Sequence, residues 1–317
     1  MDNKIAFLFP GQGSQYHGMG EDLVFNFQLA NNMFIEASNI LDIDFKKLCY
    51  EENNSNLNNT EYTQPAIYLI SIILFKLLEK KGIKPHAVAG HSLGEYSALT
   101  AAKVISFKDG LKLVRKRGIF MNEALSPGKG SMAAIIGLDI NEIKEICIQI
   151  SGICEIANYN TPRQIVISGE KIAIIKALEL AKNYGAKRAI ELEVSGPFHS
   201  SLMQSAKNKL EEELNKINFN KTEIDIVPNV IADYAKTSNE LKCSLIEQLD
   251  NSVLWVDSMN KLINSGIDTF IEVGPGKVLK GLMRRINKKV KVYSINSYES
   301  YIKYIDILSP DKIIIKD

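Results

Sequence analysis

The sequence predicts an α/β fold, a mainly parallel sheet flanked by helices, interrupted by a smaller inserted unit. Three observations carry this reading. Short apolar runs at 5–9 and 87–89, and a late core strand at 269–273, each stop at a glycine- or proline-bearing loop, as buried parallel strands do. Stretches of helical period separate them. At Ser126-Pro127-Gly128-Lys129-Gly130 the composition shifts, and the elements beyond are shorter and differently ordered.

The first strand, 5–9, is stopped by Pro10-Gly11. Residues 61–81 read as a helix with Thr63-Gln64-Pro65 in its first turn, where proline's missing N–H costs nothing, and Gly82 ends it. A buried strand at 87–89 leads into a helix opened by Ser92 and running to about Ala102, and a further helix covers 107–125. Then come a strand at 132–138, a helix at 140–151, strands at 154–158 and 164–168, a helix at 171–184 and a strand at 188–194. That βαββαβ order is the ferredoxin-like pattern. It assigns 127–195 to a small subdomain, and 1–126 with 196–317 to the larger core. Gly196-Pro197 returns the chain to the core. A helix from about 200 to 215, a strand near 224–227, helices at 241–249 and 255–265, and the strand 269–273 follow.

Composition excludes several classes. The 317 residues are 45% hydrophobic and 24% charged, and 38 Lys and Arg face 37 Asp and Glu. A net charge of +1 is not the footprint of a nucleic-acid binder. The longest apolar stretch, 67–78, is broken by Ser71 and Lys76 and is too short to span a bilayer. Met1 to Lys4 pass into a strand with no basic-then-apolar leader, so a cytoplasmic protein is expected. Cys49, Cys147, Cys154 and Cys243 form no Cys-x-x-Cys pair and none lies at ligand spacing to a histidine. They read as scattered reduced thiols, and no metal or cofactor is expected.

Gly90-His91-Ser92-Leu93-Gly94 sits between an apolar strand and a helix, the setting a nucleophile elbow needs. Glycines at both ends let strand and helix approach, pushing the Ser92 hydroxyl above the sheet edge. The helix N-terminus offers free N–H groups, and the Leu93 N–H is the natural oxyanion donor. The plainer alternative is a strand-to-helix turn with a capping serine. A serine nucleophile requires a base. Of four histidines, His86 lies at the strand's far end, His17 in the first loop, and His91 beside Ser92, where adjacent side chains diverge. His199 follows Ser195-Gly196-Pro197-Phe198 where the chain re-enters the core, and is the chosen base over a structural role at a helix start. A hydrolase triad would place its acid between serine and histidine. The aspartates there, Asp109 and Asp139, both read as surface residues at helix starts, which leaves a backbone carbonyl to orient the base.

On the 107–125 helix, Leu113, Val114, Met121, Ala124 and Leu125 share one face, and Arg117 falls in its middle. A buried arginine needs a partner, and its planar fork suits a carboxylate. That partner is either a structural acid or the free carboxylate of a dicarboxylic acyl group. Pro10-Gly11-Gln12-Gly13-Ser14-Gln15 lacks the spacing of a nucleotide loop, but its Gln12 N–H is a candidate second oxyanion donor. The turn 272–276 reads as structural.

These residues together resemble bacterial malonyl-CoA:acyl-carrier-protein transacylases and, more distantly, the acyltransferase domains of fatty-acid and polyketide synthases. The resemblance runs through FPGQGSQ at 9–15, TQPA at 63–66, GHSLGEYSAL at 90–99 and RG.FM at 117–121. It continues through GKGSMAAIIGL at 128–138, N.NTP.Q.VISG at 158–169, SGPFH at 195–199 and EVGPGKVL at 272–279. It implies an α/β-hydrolase-like core with a ferredoxin-like subdomain. It implies Ser92 as nucleophile, His199 as base, Gln12 and Leu93 as oxyanion donors and Arg117 as the clamp for the malonyl carboxylate. It further implies that the Gln248 carbonyl holds the histidine, and that Gln64, Met121 and Asn160 line the pocket. Phe198 matches malonyl-selective relatives, where methylmalonyl-selective domains carry serine. The implied reaction carries malonyl from malonyl-CoA to the phosphopantetheine thiol of acyl carrier protein, without cofactor, for fatty-acid biosynthesis. The expected enzyme is a monomer with no nucleic-acid or membrane partner. Arg188 and the Arg284-Arg285 region are candidates for docking an acidic carrier. The competing readings are a serine hydrolase such as a thioesterase and a stand-alone acyltransferase of a polyketide pathway.

Overall fold

The computed structural model describes residues 4–308. Among the described residues nine strands build two sheets: β1 (Ile5–Phe9), β2 (Ala87–Gly90), β3 (Gly130–Ile136), β4 (Cys154–Thr161), β5 (Gln164–Glu170), β6 (Arg188–Glu191), β7 (Asp225–Ile226), β8 (Thr269–Val273) and β9 (Lys291–Ile295). The first sheet has the order β7-β2-β1-β8-β9, and every pair in it is parallel. β1 and β8 are buried along their whole length; β1 is an unbroken apolar run in the sequence, while β8 also buries Thr269 and Glu272, whose carboxylate accepts the Leu279 and Lys280 N–H groups. One face packs on the Thr60–Lys80 helix, apolar on nearly every side. The other packs on a cluster around Trp255, Met259 and Met283.

The second sheet is antiparallel with the order β4-β5-β3-β6, and helices Ile140–Gln149 and Lys171–Asn183 cover one face. This is the ferredoxin-like strand order expected from βαββαβ. β4 of the second sheet is bonded to the core segment around Val253: Val253 N–H donates to Ala157 O at 2.8 Å, and Tyr159 N–H to Val253 O at 2.9 Å.

Several bounds move. The third helix ends at Glu123, so Ala124 and Leu125 lie beyond it and are half-buried. The strand expected at 188–194 stops at Glu191. The helix expected from 200 begins as a 3-10 turn, Ser201–Met203, before Gln204–Leu214. Helices Glu21–Asn26, Gln28–Leu41 and Phe45–Tyr50, and the edge strand β9 with its flanking helices, complete the core. Among the described residues no helix is long and apolar enough to cross a membrane.

Candidate active site

β2 runs into a turn so tight that only glycine fits at its ends. A Cβ on Gly90 would meet the Gly94 carbonyl carbon at 1.9 Å, and one on Gly94 would meet Phe9 O at 2.0 Å. Between them Ser92 is held at φ 51°, in the left-handed region that non-glycine residues rarely adopt. His199 has the same kind of backbone, at φ 58°. Such strain persists only where the surroundings over-determine it. Here the Ser92 N–H donates to Asn229 Oδ1 at 2.7 Å, and the Asn229 amide donates to Gly90 O at 2.6 Å. The Gly196-Pro197 return brings His199 Nε2 to 2.8 Å from Ser92 Oγ. His199 Nδ1 lies 2.8 Å from the Gln248 carbonyl oxygen. A carbonyl only accepts, so Nδ1 carries the proton and Nε2 is left to accept from serine. Burial first, and the Arg117 charge second, push His199 down to about 3, so the imidazole is neutral.

Arg117 is buried, at 1% exposure, beside the nucleophile. Its Nη2 donates to Ser92 Oγ at 3.0 Å and to Gln248 Oε1 at 2.9 Å, and its Nη1 to Gln64 Oε1 at 2.9 Å. All three acceptors are neutral. Gln64 is set for this role by its own amide, which donates to Met121 Sδ at 3.4 Å. Arg117 takes part in no ion pair among the described residues, so the structural-acid alternative is not what occupies its fork.

Nine of the sequence-predicted residues line one cavity of about 520 Å³: Gln12, Gln64, His91, Ser92, Leu93, Arg117, Met121, Phe198 and His199. The Gln12 side chain is tied to Thr60 Oγ1 at 3.1 Å. Neither the Gln12 nor the Leu93 backbone N–H donates to another group among the described residues. Two predicted residues stand behind the cavity. Asn160 accepts from or donates to His91 Nε2 at 2.7 Å, and Asn158, earlier on β4, lines the cavity instead. His91 turns away from Ser92 and sets its ring edge against Trp255, with ring centres 5.3 Å apart. Gln248 is fully buried and does more than hold the histidine. Its Nε2 donates to Ser92 O at 3.0 Å and to Glu95 Oε2 at 2.8 Å.

Glu95 and Asn229 are the site residues the sequence reading missed. Glu95 Oε2 also accepts the Asn229 N–H at 3.0 Å, while its Oε1 has no partner. Burial raises its carboxyl to about 7, against those hydrogen bonds and the Arg117 charge. The only local signal was an acidic residue in a helix first turn, which is ordinary.

Comparison with known proteins places this geometry. The acyl transferase domain family matches residues 6–302. The malonyl CoA-acyl carrier protein transacylase of Bacillus subtilis is 46% identical over 301 residues, covering 94% of this chain and 95% of that protein. The structure of the Clostridium perfringens malonyl CoA-acyl carrier protein transacylase superposes with a TM-score of 0.94 at 43% identity, covering 99% of this chain and 100% of that one. A malonyl-transacylase solved in complex with a type II PKS acyl-carrier protein superposes with a TM-score of 0.93 at 39% identity, covering 96% and 99%. The chain belongs to the acyl transferase family, within its malonyl CoA-acyl carrier protein transacylases.

Proposed function

We propose that this enzyme transfers malonyl from malonyl-CoA to the phosphopantetheine thiol of acyl carrier protein, supplying fatty-acid biosynthesis. The observation that carries the reading is the contact of Arg117 Nη2 with Ser92 Oγ at 3.0 Å. A buried cation beside the nucleophile has no carboxylate of its own, and the substrate brings one.

His199 Nε2 accepts the Ser92 proton as Oγ attacks the thioester carbonyl. The Gln12 and Leu93 N–H groups receive the oxyanion, and the malonyl carboxylate takes the Arg117 fork. CoA leaves as the thiol with the proton from His199, and malonyl remains as an ester on Ser92. The carrier-protein thiol then gives its proton to His199 and attacks the same ester, and the departing Ser92 oxygen takes that proton back from His199 Nε2. A thioester replaces a thioester, so the exchange is close to balanced without an energy source. Gln64, Met121 and Phe198 shape the acyl end of the cavity. Asn160 sets His91, and Gln248 sets both His199 and Arg117. The acidic carrier docks on exposed Arg188 and Arg284-Arg285; Arg285 bridges to Gln164, paired through Ile136 with Arg188. Residues 127–195 are proposed as the small subdomain, and 1–126 with 196–317 as the core.

Mixing the protein with malonyl-CoA and no acceptor should give, by intact mass, a stable one-malonyl adduct that disappears in Ser92→Ala. Release of free malonate without adduct would instead make it a hydrolase. Transfer of that adduct to holo carrier protein from fatty-acid synthesis completes the test.

A further inference from the structure

Cys147 and Cys154 are not scattered thiols. Cys147 lies in the last turn of the Ile140–Gln149 helix and Cys154 opens β4. The turn between them brings their sulfurs to 3.7 Å, with the Cys154 thiol donating to Cys147 Sγ. A disulfide needs about 2.05 Å between sulfurs, so closure brings the two sulfurs about 1.7 Å nearer than in this contact. The two thiols are unequally placed. Cys154 is buried. Cys147 is half-buried and opens on a cavity of about 570 Å³ shared with Lys144, Tyr159, Asp250 and His199. The hydrogen bond from Cys154 favours the Cys147 thiolate, whereas Cys154 is pushed up by that same pairing and by burial. Thiolate character and access decide which cysteine reacts first. Cys49 is buried and pushed up to about 12, and Cys243 is exposed.

We propose that Cys147 and Cys154 form a dithiol modification site that takes a small disulfide at Cys147 and closes to a Cys147–Cys154 disulfide. The Cys147 thiolate attacks one sulfur of RSSR and expels RS⁻. Cys154 then attacks the Cys147 sulfur of the mixed disulfide, its proton going to the departing thiolate, and expels the second RS⁻. In sum, two protein thiols and RSSR become one protein disulfide and two RSH. Two electrons pass from the protein sulfurs to the reagent. The site lies behind His199 and on β4, the strand bonded to Val253 downstream of Gln248.

The test uses the folded full-length protein, reduced, freed of reductant and incubated with excess 2-hydroxyethyl disulfide. Remaining thiols are alkylated after unfolding, and the digest is read by mass spectrometry. Expected is one cross-linked species joining Cys147 to Cys154, two hydrogens lighter than the dithiol, with Cys243 carrying the mixed disulfide as reagent control. Cys154→Ser should hold a stable mixed disulfide at Cys147, and Cys147→Ser should leave Cys154 free. A stable mixed disulfide at Cys147 in the unsubstituted protein would overturn the proposal. So would both thiols remaining alkylatable while Cys243 is converted.

Discussion

Arg117 spends its hydrogen bonds on Ser92, Gln64 and Gln248, and its Nε has no partner. A desolvated cation satisfied only by neutral oxygens gains most from an incoming carboxylate. Truncating one partner of a buried charge pair costs roughly 2–5 kcal/mol, or about 30-fold to several thousandfold. Arg117→Ala should therefore lower kcat/KM for malonyl-CoA by that factor while changing acetyl-CoA use far less; equal losses would remove the clamp. The same charge depresses His199, second to burial. A bound malonyl carboxylate cancels that effect, so the acid limb of acylation at saturating malonyl-CoA should lie at higher pH than the limb of kcat/KM. An acid limb of kcat/KM near the ordinary 6.5 would contradict the burial of His199. Ser92, His199 and Arg117 were legible in the sequence because each is a residue type out of place: a serine in a glycine elbow, a histidine at a lobe crossing, a cation on an apolar face. Glu95 and Asn229 were not, because a glutamate in a first turn and an asparagine after Pro228 are what helix starts and turns ordinarily carry. Their burial is a property of the packed molecule.

The Phe107–Glu123 helix can hold Arg117 against Gln64 because it crosses the Thr60–Lys80 helix without side chains in the way. A Cβ on Gly118 would meet Glu61 Cα at 2.6 Å and Thr60 O at 2.8 Å, both backbone atoms that cannot swing aside. One on Gly110 would meet the Tyr68 hydroxyl at 2.2 Å. Gly118→Ala should thus force the helices apart, costing about 1–3 kcal/mol in urea unfolding and raising KM for malonyl-CoA as Gln64 withdraws from Arg117. Gly128→Ala is the contrast: unlike helical Gly118, it has a left-handed backbone, at φ 77°, but nothing lies within 4 Å. Its loss should be about 1–2 kcal/mol of backbone strain with KM unchanged. Strands and helices whose pattern is strong were readable to within a turn, and β8 was readable residue for residue. The helices at 21–50 were not read: Glu21–Asn26 and Phe45–Tyr50 have six residues each, and all three, including the longer Gln28–Leu41, are joined by one- to three-residue links. The strand that starts at Arg188 ends early because, after a last bond from Leu192 N–H to Met132 O, Leu192, Glu193 and Val194 line the cavity.

Among the buried ionisable groups of the site, Glu95 and His199 are shifted in opposite directions, and the stability of the whole molecule should record both. Glu95 rises from 4.5 to about 7 in the fold, chiefly by burial. Its folded value lies above its unfolded one, so its contribution is full below pH 4.5 and is lost as pH rises through 7. His199 falls from 6.5 to about 3, so its contribution is full above pH 6.5 and is lost as pH falls toward 3. Between pH 4.5 and 6.5 the native state keeps the proton on Glu95 while the unfolded chain keeps it on His199. The two slopes cancel there, and these groups leave stability flat. Glu95→Gln keeps an amide near the Asn229 N–H and removes one limb. At about 1.4 kcal/mol for each unit of displacement, the variant should gain on the parent by about 3 kcal/mol between pH 4.5 and 7. Urea unfolding of both proteins at the two pH values measures that difference directly, whatever constant offset the substitution introduces. A gap that does not change, or that closes in the other direction, would mean that Glu95 is ionised in the native site and serves as the permanent counter-charge of Arg117.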